Sequence, residues 1–389
     1  MDVDNSLPVT QSELPVAVDA TGGDNGLLVQ VDGAIQAFQE FGARSVIVGP
    51  EEEIKQALDK LGGSRFPIEI KHAPDTITMD DTPSRAVVKK PDSSLCVAYR
   101  LVKEGMASSI ISSGNSGAMM AAGILHCGLM PGIKRPAIAT IIPAVGDRTP
   151  NVILDSGANV DCDAHNLVQF AVMGAIYYTS LFEVDKPRIG LLSNGTEASK
   201  GTDVLRAAAL EIEEVGHLNY VGFVEGRDVA GSAADVIVCD GFVGNVVLKT
   251  MEGCVRLVAE QLMHESKKGL VSKIGLGLSK GVFREVFREK FDYTAHGGAP
   301  LLGLKKLSIV LHGSSDSRAV KNAIRVADNF AKNKMIDKIS GELTGLEDSD
   351  LDELNEVVSS VLPRKSDFNG KGKKKRQEVK ESQKTAGTK

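Results

Sequence analysis

SIISSGNSGAMMAAGIL, residues 109–125, reads as a four-residue apolar strand, a turn of serine, asparagine and glycine, and a helix. Ser109–Ser112 is too short for a helix of its own, and Ser112–Gly117 carries the side chains with which helices are capped. The pattern recurs along the chain. Val16–Val18 runs into DATGGDNG (19–26) and a helix over Val31–Phe41. Ile189–Leu192 runs into NGTEASKG (194–201) and a helix over Thr202–Val215, and Val236–Val238 into DGFVGN (240–245) and a helix over Phe242–His264. Further strands are expected at Ser45–Val48, Ile68–Ile70, Ile138–Ile142, Val152–Leu154, Val221–Val224 and Ile309–Leu311. Further helices are expected at Glu51–Leu61, Leu95–Gly105, Gly117–Cys127 and Ala164–Leu181. Short apolar strands, each followed by a helix, imply an α/β fold whose largely parallel sheet is covered on both faces.

Composition narrows the function classes. The chain has 389 residues, 42% hydrophobic and 25% charged, as expected for a soluble globular protein. A net charge of −6 and 4% aromatic residues argue against nucleic acid as a partner. The 5 cysteines are scattered without a CxxC pair, so neither a disulfide framework nor structural zinc is expected, and a reducing cytoplasm fits. No signal peptide and no membrane span is expected. Residues 1–14 read as a flexible lead and 15–362 as the α/β domain. The lysine-rich segment 363–389 reads as a disordered tail.

In open α/β sheets ligands bind beyond the carboxyl ends of the strands, so the post-strand loops are the candidate sites. In DATGGDNG, glycines permit close backbone approach, and Asp19 and Asp24 can hold a metal or fix a neighbouring loop; a plain turn explains the loop equally. SSGNSG can bind an anion at a helix start or merely cap it. DSGANVDCD (155–163) sets three carboxylates beside Asn159, for acid/base work, Mg²⁺ or capping. Lys200 precedes a helix whose dipole it opposes, which an anionic ligand would explain; a solvated surface lysine is the other reading. Asn245 can donate to an oxyanion, cap or pack. His126, His165, His296 and His312 have no evident nucleophile beside them, and Cys162 and Cys239 no basic partner. The residues alone describe an anion site without a protein nucleophile.

Read together, DATGGDNG, SSGNSGAMMAAG, DSGANVDCDAHNLVQFA, NGTEASKG, DGFVGNVVLK and GGAPLLGLKKLSIVLHGSSD (297–316) resemble, in order and spacing, the motifs of the bacterial phosphate acyltransferases. The resemblance runs from about Val16 to Ala331. It implies a homodimeric three-layer α/β/α fold related to phosphotransacetylases and isopropylmalate-type dehydrogenases. The implied reaction moves an acyl group from acyl carrier protein to inorganic phosphate, feeding glycerol-3-phosphate acyltransferase in phospholipid synthesis. The family's catalytic lysine and asparagine fall on Lys200 and Asn245. Its substrate cradle falls on Asp19, Gly22, Gly23, Asn115, Ser116 and Gly117, with Asn159 and Asp161 in a further motif. Departures lie at Thr21 and Leu27, where methionine and proline are usual, and at Asp163–Asn166. No metal or cofactor is expected, since Lys200 and backbone donors can hold phosphate. Rival readings are a phosphotransacetylase using acetyl-CoA, a dehydrogenase of the isopropylmalate type, and a membrane-associated scaffold without activity.

Residues 267–290 mix Leu278, Val282, Phe283 and Phe287 with lysines and arginines. A basic amphipathic helix of this kind suits a membrane surface, the acidic carrier protein or a dimer partner. The resemblance implies peripheral attachment at the inner face of the cell membrane.

Overall fold

The computed structural model describes residues 14–144, 146, 148–266, 269, 279, 281 and 297–345. The residues singled out at 278–287 and the tail from 363 lie outside these. The described residues fall almost wholly in one compact unit that runs to Leu343; of the second, from Thr344, only the end of a helix is described.

The strands are β1 (Val16–Asp19), β2 (Ser45–Gly49), β3 (Glu69–His72), β4 (Ser109–Ser112), β5 (Ala137–Ile142), β6 (Asn151–Leu154), β7 (Arg188–Leu192), β8 (Asn219–Val224), β9 (Val236–Val238), β10 (Ala299–Leu302) and β11 (Ser308–Val310). They form one sheet in the order β3-β2-β1-β4-β11-β10-β5-β6-β9-β7-β8. β3, β2, β1, β4 and β11 are mutually parallel, as are β6, β9, β7 and β8. β10 runs antiparallel to both β11 and β5, and β5 antiparallel to β6. The two parallel sets therefore point in opposite directions, and their carboxyl ends lie at opposite edges of the sheet.

The helices are α1 (Leu27–Phe41), α2 (Glu51–Lys60), α3 (Pro83–Lys89), α4 (Ser94–Lys103), α5 (Ser116–His126), α6 (Ala164–Phe182), α7 (Asp203–Glu214), α8 (Gly241–Ser266), α9 (Ser317–Lys332) and α10 (Met335–Gly345). Alternation along the strands divides them between the faces. Val16 and Val18 pack with Val31 and Ala34 of α1 and Val320 and Ile324 of α9, whereas Ala17 between them packs with Tyr99 and Val102 of α4. In the other half Ile153 and Ile237 meet Val243, Val247 and Leu248 of α8. Gly174 of α6 lies against Val236 and Leu154 on the opposite face. Local chemistry marks the helix starts. Ser93, Thr202 and Asp316 cap α4, α7 and α9, and Asp163 forms a capping box with Asn166 before α6. Three glutamates open α2 and Lys60 closes it, complementing its dipole.

The sequence reading places ten of these strands but not β10. APLL carries a proline and stands between Gly298 and Gly303, both in the left-handed region, so it reads as a turn. Its strand geometry comes from β11 and β5 on either side, a tertiary effect.

Candidate active site

The loop after β6 is organised by one buried carboxylate. Asp155 is fully buried and accepts from the backbone N–H of Ile138, Gly157, Ala158 and Asn159 and from Asn159 Nδ2, at 2.7–3.0 Å. Burial raises its pKa above the usual carboxylate value, against the pull of these donors. Asn159 Nδ2 also donates to Pro136 O at 2.7 Å, and Asn159 O accepts from Gly241 N at 2.7 Å. Asn159 thus spends its amide on the loop itself, while the exposed Asp161 receives Arg135 at its backbone carbonyl.

On this loop rests the first turn of α8. A Cβ on Gly244 would stand 1.9 Å from Asp155 O, and one on Gly241 2.8 Å from Asn159 N and O. Only glycine permits that approach. The seat brings Asn245 over Gly157, whose Cβ position is 3.8 Å from Asn245 Cβ. Asn245, Leu248, Lys249 and Glu252 follow at i, i+3, i+4 and i+7, one face of the helix. That face closes one side of a cavity of about 280 Å³.

The opposite side of the cavity comes from the other sheet edge. Asp24, Gly114, Ser116 and residues 311–313 and 315 line it, with Ile138, Thr140, Ile141, Ala299 and Val310 beneath. The three loops here interlock. Asp24 N donates to Gly313 O at 2.7 Å, Asn25 Nδ2 to Ser314 O and Ser315 O, and Ser113 Oγ to Gly22 O. Asp19 lies underneath, accepting from Ser94 Oγ at 2.5 Å and Ser112 Oγ at 2.7 Å. Burial raises the Asp19 pKa in spite of those bonds. A side chain at Gly22 would strike Asp19 and Gly114 N at 2.9 Å, and at Gly23, whose φ is +88°, Ser113 Oγ at 2.6 Å. Asn115 caps α5 through Ala118 N and donates to Met79 O and Asp81 O. Gly117 makes room for Pro83.

Of the residues singled out from sequence, Asp24, Ser116, Asn245 and His312 therefore line the cavity. Asp19, Gly22, Gly23, Asn115, Gly117 and Asn159 build the loops around it. Lys200 is exposed and does not line it. Its loop is stapled to α7: Lys200 N donates to Glu197 O, Gly201 N to Asn194 Oδ1 and Arg206 Nη1 to Gly201 O. Because β6, β9 and β7 are parallel neighbours, this loop shares a sheet edge with the seat of Asn245. No hydrogen bond or ion pair engages the Lys200 ammonium among the described residues.

The sequence reading passes over Lys249 and finds no partner for His312, yet both line the cavity. Lys249 Nζ lies 2.6 Å from His312 Nε2 and 2.9 Å from Glu252 Oε2, joining α8 to the loop after β11. Lys249 is legible as the i+4 neighbour of Asn245; the distant pairing with His312 leaves no sequence signal. Cys162 and Cys239 offer no thiolate, since burial pushes Cys162 up to about 12 and Cys239 well above the usual thiol value. Among the described residues no three His, Cys, Asp or Glu side chains come together as a metal site.

Residues 14–338 match the family described as "Fatty acid synthesis protein". The chain belongs to this family. Its relatives include two proteins named phosphate acyltransferase, each 47% identical, from Geotalea daltonii and Geotalea uraniireducens. The first match covers 82% of this chain and 90% of the relative, the second 84% and 94%. A phosphotransacetylase from Streptococcus pyogenes superposes on the family fold with a TM-score of 0.57 at 19% identity, over 83% of this chain and 95% of that one. One from Staphylococcus aureus gives 0.53 at 17%, over 82% and 95%. At such identities the likeness is one of fold.

Proposed function

We propose that this chain is a phosphate acyltransferase that moves a fatty acyl group from the thioester of acyl carrier protein onto inorganic phosphate. Family membership and the names of its relatives support the reaction class. The observation that carries it to a site is the cavity, where Asn245 and Leu248 on α8 close one side above Ile138, Ile141, Ala299 and Val310. An apolar floor beneath a hydrogen-bond donor suits an acyl thioester, each buried methylene contributing about 0.8 kcal/mol. Acetyl has a single methyl to place there, so the cavity favours a longer chain.

In this reading Lys200 and nearby backbone N–H groups bring phosphate to the sheet edge where Asn245 stands. Phosphate oxygen attacks the thioester carbon, Asn245 donates to the oxyanion, and the carrier's thiol departs. Positioning contributes up to roughly 7–11 kcal/mol and one oxyanion donor about 3–4 kcal/mol. Asp19, Gly22, Gly23, Asn115, Gly117, Asn159 and Asp161 act by shaping the loops. No protein nucleophile is needed. The chain works as a homodimer in the cytoplasm, residues 267–290 meet the inner face of the membrane, and the acyl phosphate passes to glycerol-3-phosphate acyltransferase. The test is phosphate-dependent thiol release from palmitoyl-acyl carrier protein, palmitoyl-CoA and acetyl-CoA. Preference for the carrier-bound long chain, lost in Lys200→Ala and Asn245→Ala, is expected. Acetyl-CoA as the best donor would make it a phosphotransacetylase, and no release from any donor would leave a scaffold.

A further inference from the structure

Acyl transfer builds up negative charge on the thioester oxygen, and a role for any further residue in holding that charge rests on the phosphate acyltransferase reading. An oxygen of hydrogen phosphate bonds to the thioester carbon as the carbonyl π pair moves onto oxygen. The pair then re-forms the carbonyl, and the C–S bond breaks with its electrons on sulfur. The acyl phosphate gives its remaining proton to solvent and the thiolate takes one from it, so no side chain changes its protonation. Asn245 supplies one donor to the oxyanion, which has room for more than one.

Two buried hydroxyls stand in the same cavity as Asn245. Thr140 of β5 and Ser156 of the loop after β6 both line it, at 8% and 5% exposure. Thr140 follows Ile138 by two residues, so the two side chains share one face of the sheet. Ser156 immediately precedes Gly157, whose Cβ position is 3.8 Å from Asn245 Cβ. The surroundings are apolar, with Ile138, Leu248, Ala299 and Val310 lining the same space. Hydroxyls buried among such neighbours need hydrogen-bond partners.

Thr140 Oγ1 and Ser156 Oγ are 2.6 Å apart, and Ser156 Oγ is 3.2 Å from Ile138 O. Two hydroxyl hydrogens serve these contacts, and they have two arrangements. In one, Ser156 donates to Ile138 O and Thr140 donates to Ser156. In the other, Ser156 turns to donate to Thr140, and the Thr140 hydrogen is released to point into the cavity. The turn gives up only the longer contact. Ile138 O keeps a donor throughout, because Ser156 N also donates to it, at 3.0 Å. The pair can therefore offer a hydrogen to an arriving negative oxygen without stranding a buried acceptor. We propose that Thr140 is a second catalytic donor to the oxyanion, with Ser156 the positioning residue behind it. Ser156 donates to Thr140 as Thr140 donates to the oxyanion, a chain in which each bond strengthens the next. Asp155 steadies the strand that carries Thr140, accepting from Ile138 N at 3.0 Å.

The experiment compares wild type, Thr140→Val, Thr140→Ser and Ser156→Ala with palmitoyl-acyl carrier protein and phosphate, reading kcat and KM for acyl phosphate formation. In Thr140→Val, Ser156 keeps Ile138 O for its hydrogen, so no buried donor is orphaned; thermal unfolding checks that each variant is folded. Loss of one oxyanion donor lowers kcat by about 10²–10³-fold. That loss is expected in Thr140→Val with KM changed by less than about threefold, because the bond is made only in the transition state. Thr140→Ser keeps the hydroxyl and should regain most of the lost kcat. Ser156→Ala should lose less than about tenfold, again in kcat, since the Thr140 donor remains. Thr140→Val with kcat within about threefold of wild type, a loss carried by KM alone, or Thr140→Ser no better than Thr140→Val would overturn the assignment. Wild type that makes no acyl phosphate would instead overturn the phosphate acyltransferase reading itself, and the role of Thr140 with it.

Discussion

Replacing Gly244 with alanine tests how α8 is placed. The added Cβ would stand 1.9 Å from Asp155 O, against the roughly 3.3–3.6 Å that carbon and carbonyl oxygen ordinarily keep. Asp155 cannot retreat, since four backbone N–H groups and the Asn159 amide hold its carboxylate. The first turn of α8 must therefore lift by about 1 Å or more. Overpacking of this kind costs about 1–3 kcal/mol. For a unit of this size that lowers Tm by roughly 2–4 °C. Asn245 is the next residue, and a 1 Å misplacement near the chemistry can cost ~10²-fold in turnover. Gly253, on the same helix, is the control: nothing stands within 4 Å of its Cβ position, so Gly253→Ala should stabilise by about 0.5–1 kcal/mol. Scanning calorimetry and acyl phosphate formation read both effects. A Gly244→Ala protein with wild-type Tm and wild-type turnover would refute the seating of α8 on the Asp155 loop.

Asp155→Asn turns an amide NH₂ toward N–H donors, and each buried donor left without an acceptor costs about 1–3 kcal/mol, so urea unfolding should show a lower midpoint; an unchanged midpoint would contradict the role given to this carboxylate. His165 is buried, and burial, then Lys134, lowers its pKa below the ordinary 6.5. As pH falls through 6.5 the unfolded chain takes up a proton that the folded chain refuses, so stability should decline below that pH. His165→Gln should make the decline shallower, and an identical slope would argue against it. Phe283→Ser with Phe287→Ser should abolish flotation with anionic vesicles, and unchanged flotation would count against membrane contact through residues 267–290.

Most of the architecture is legible because its signals are local. Val16–Val18 and Ser109–Ser112 are apolar, short and followed by glycine-bearing turns, and the structure makes them β1 and β4 at the centre of one parallel set. The reversal between the two sets arises where β5 meets β6 antiparallel, a direction the strand residues themselves do not record, and β10 is not legible as a strand because Pro300 and the flanking glycines carry the opposite local preference. Around the site, sequence shows where polar residues gather but not which way each is turned. Asp19 and Asn159 look like ligands in their motifs, yet their hydrogen bonds go to Ser94, Ser112, Asp155 and Pro136. Conversely, His312 reads as an isolated histidine because its partner lies 63 residues away on α8. Packing density decides these matters, and a motif does not record it.

Formation of an acyl phosphate is the event on which the proposed chemistry stands. Purified protein incubated with palmitoyl-acyl carrier protein and labelled phosphate should yield a labelled, hydroxylamine-sensitive palmitoyl phosphate in step with free carrier thiol, and Lys200→Ala should abolish it. Carrier thiol released without label in an acyl phosphate, or label incorporated equally by Lys200→Ala, would contradict it.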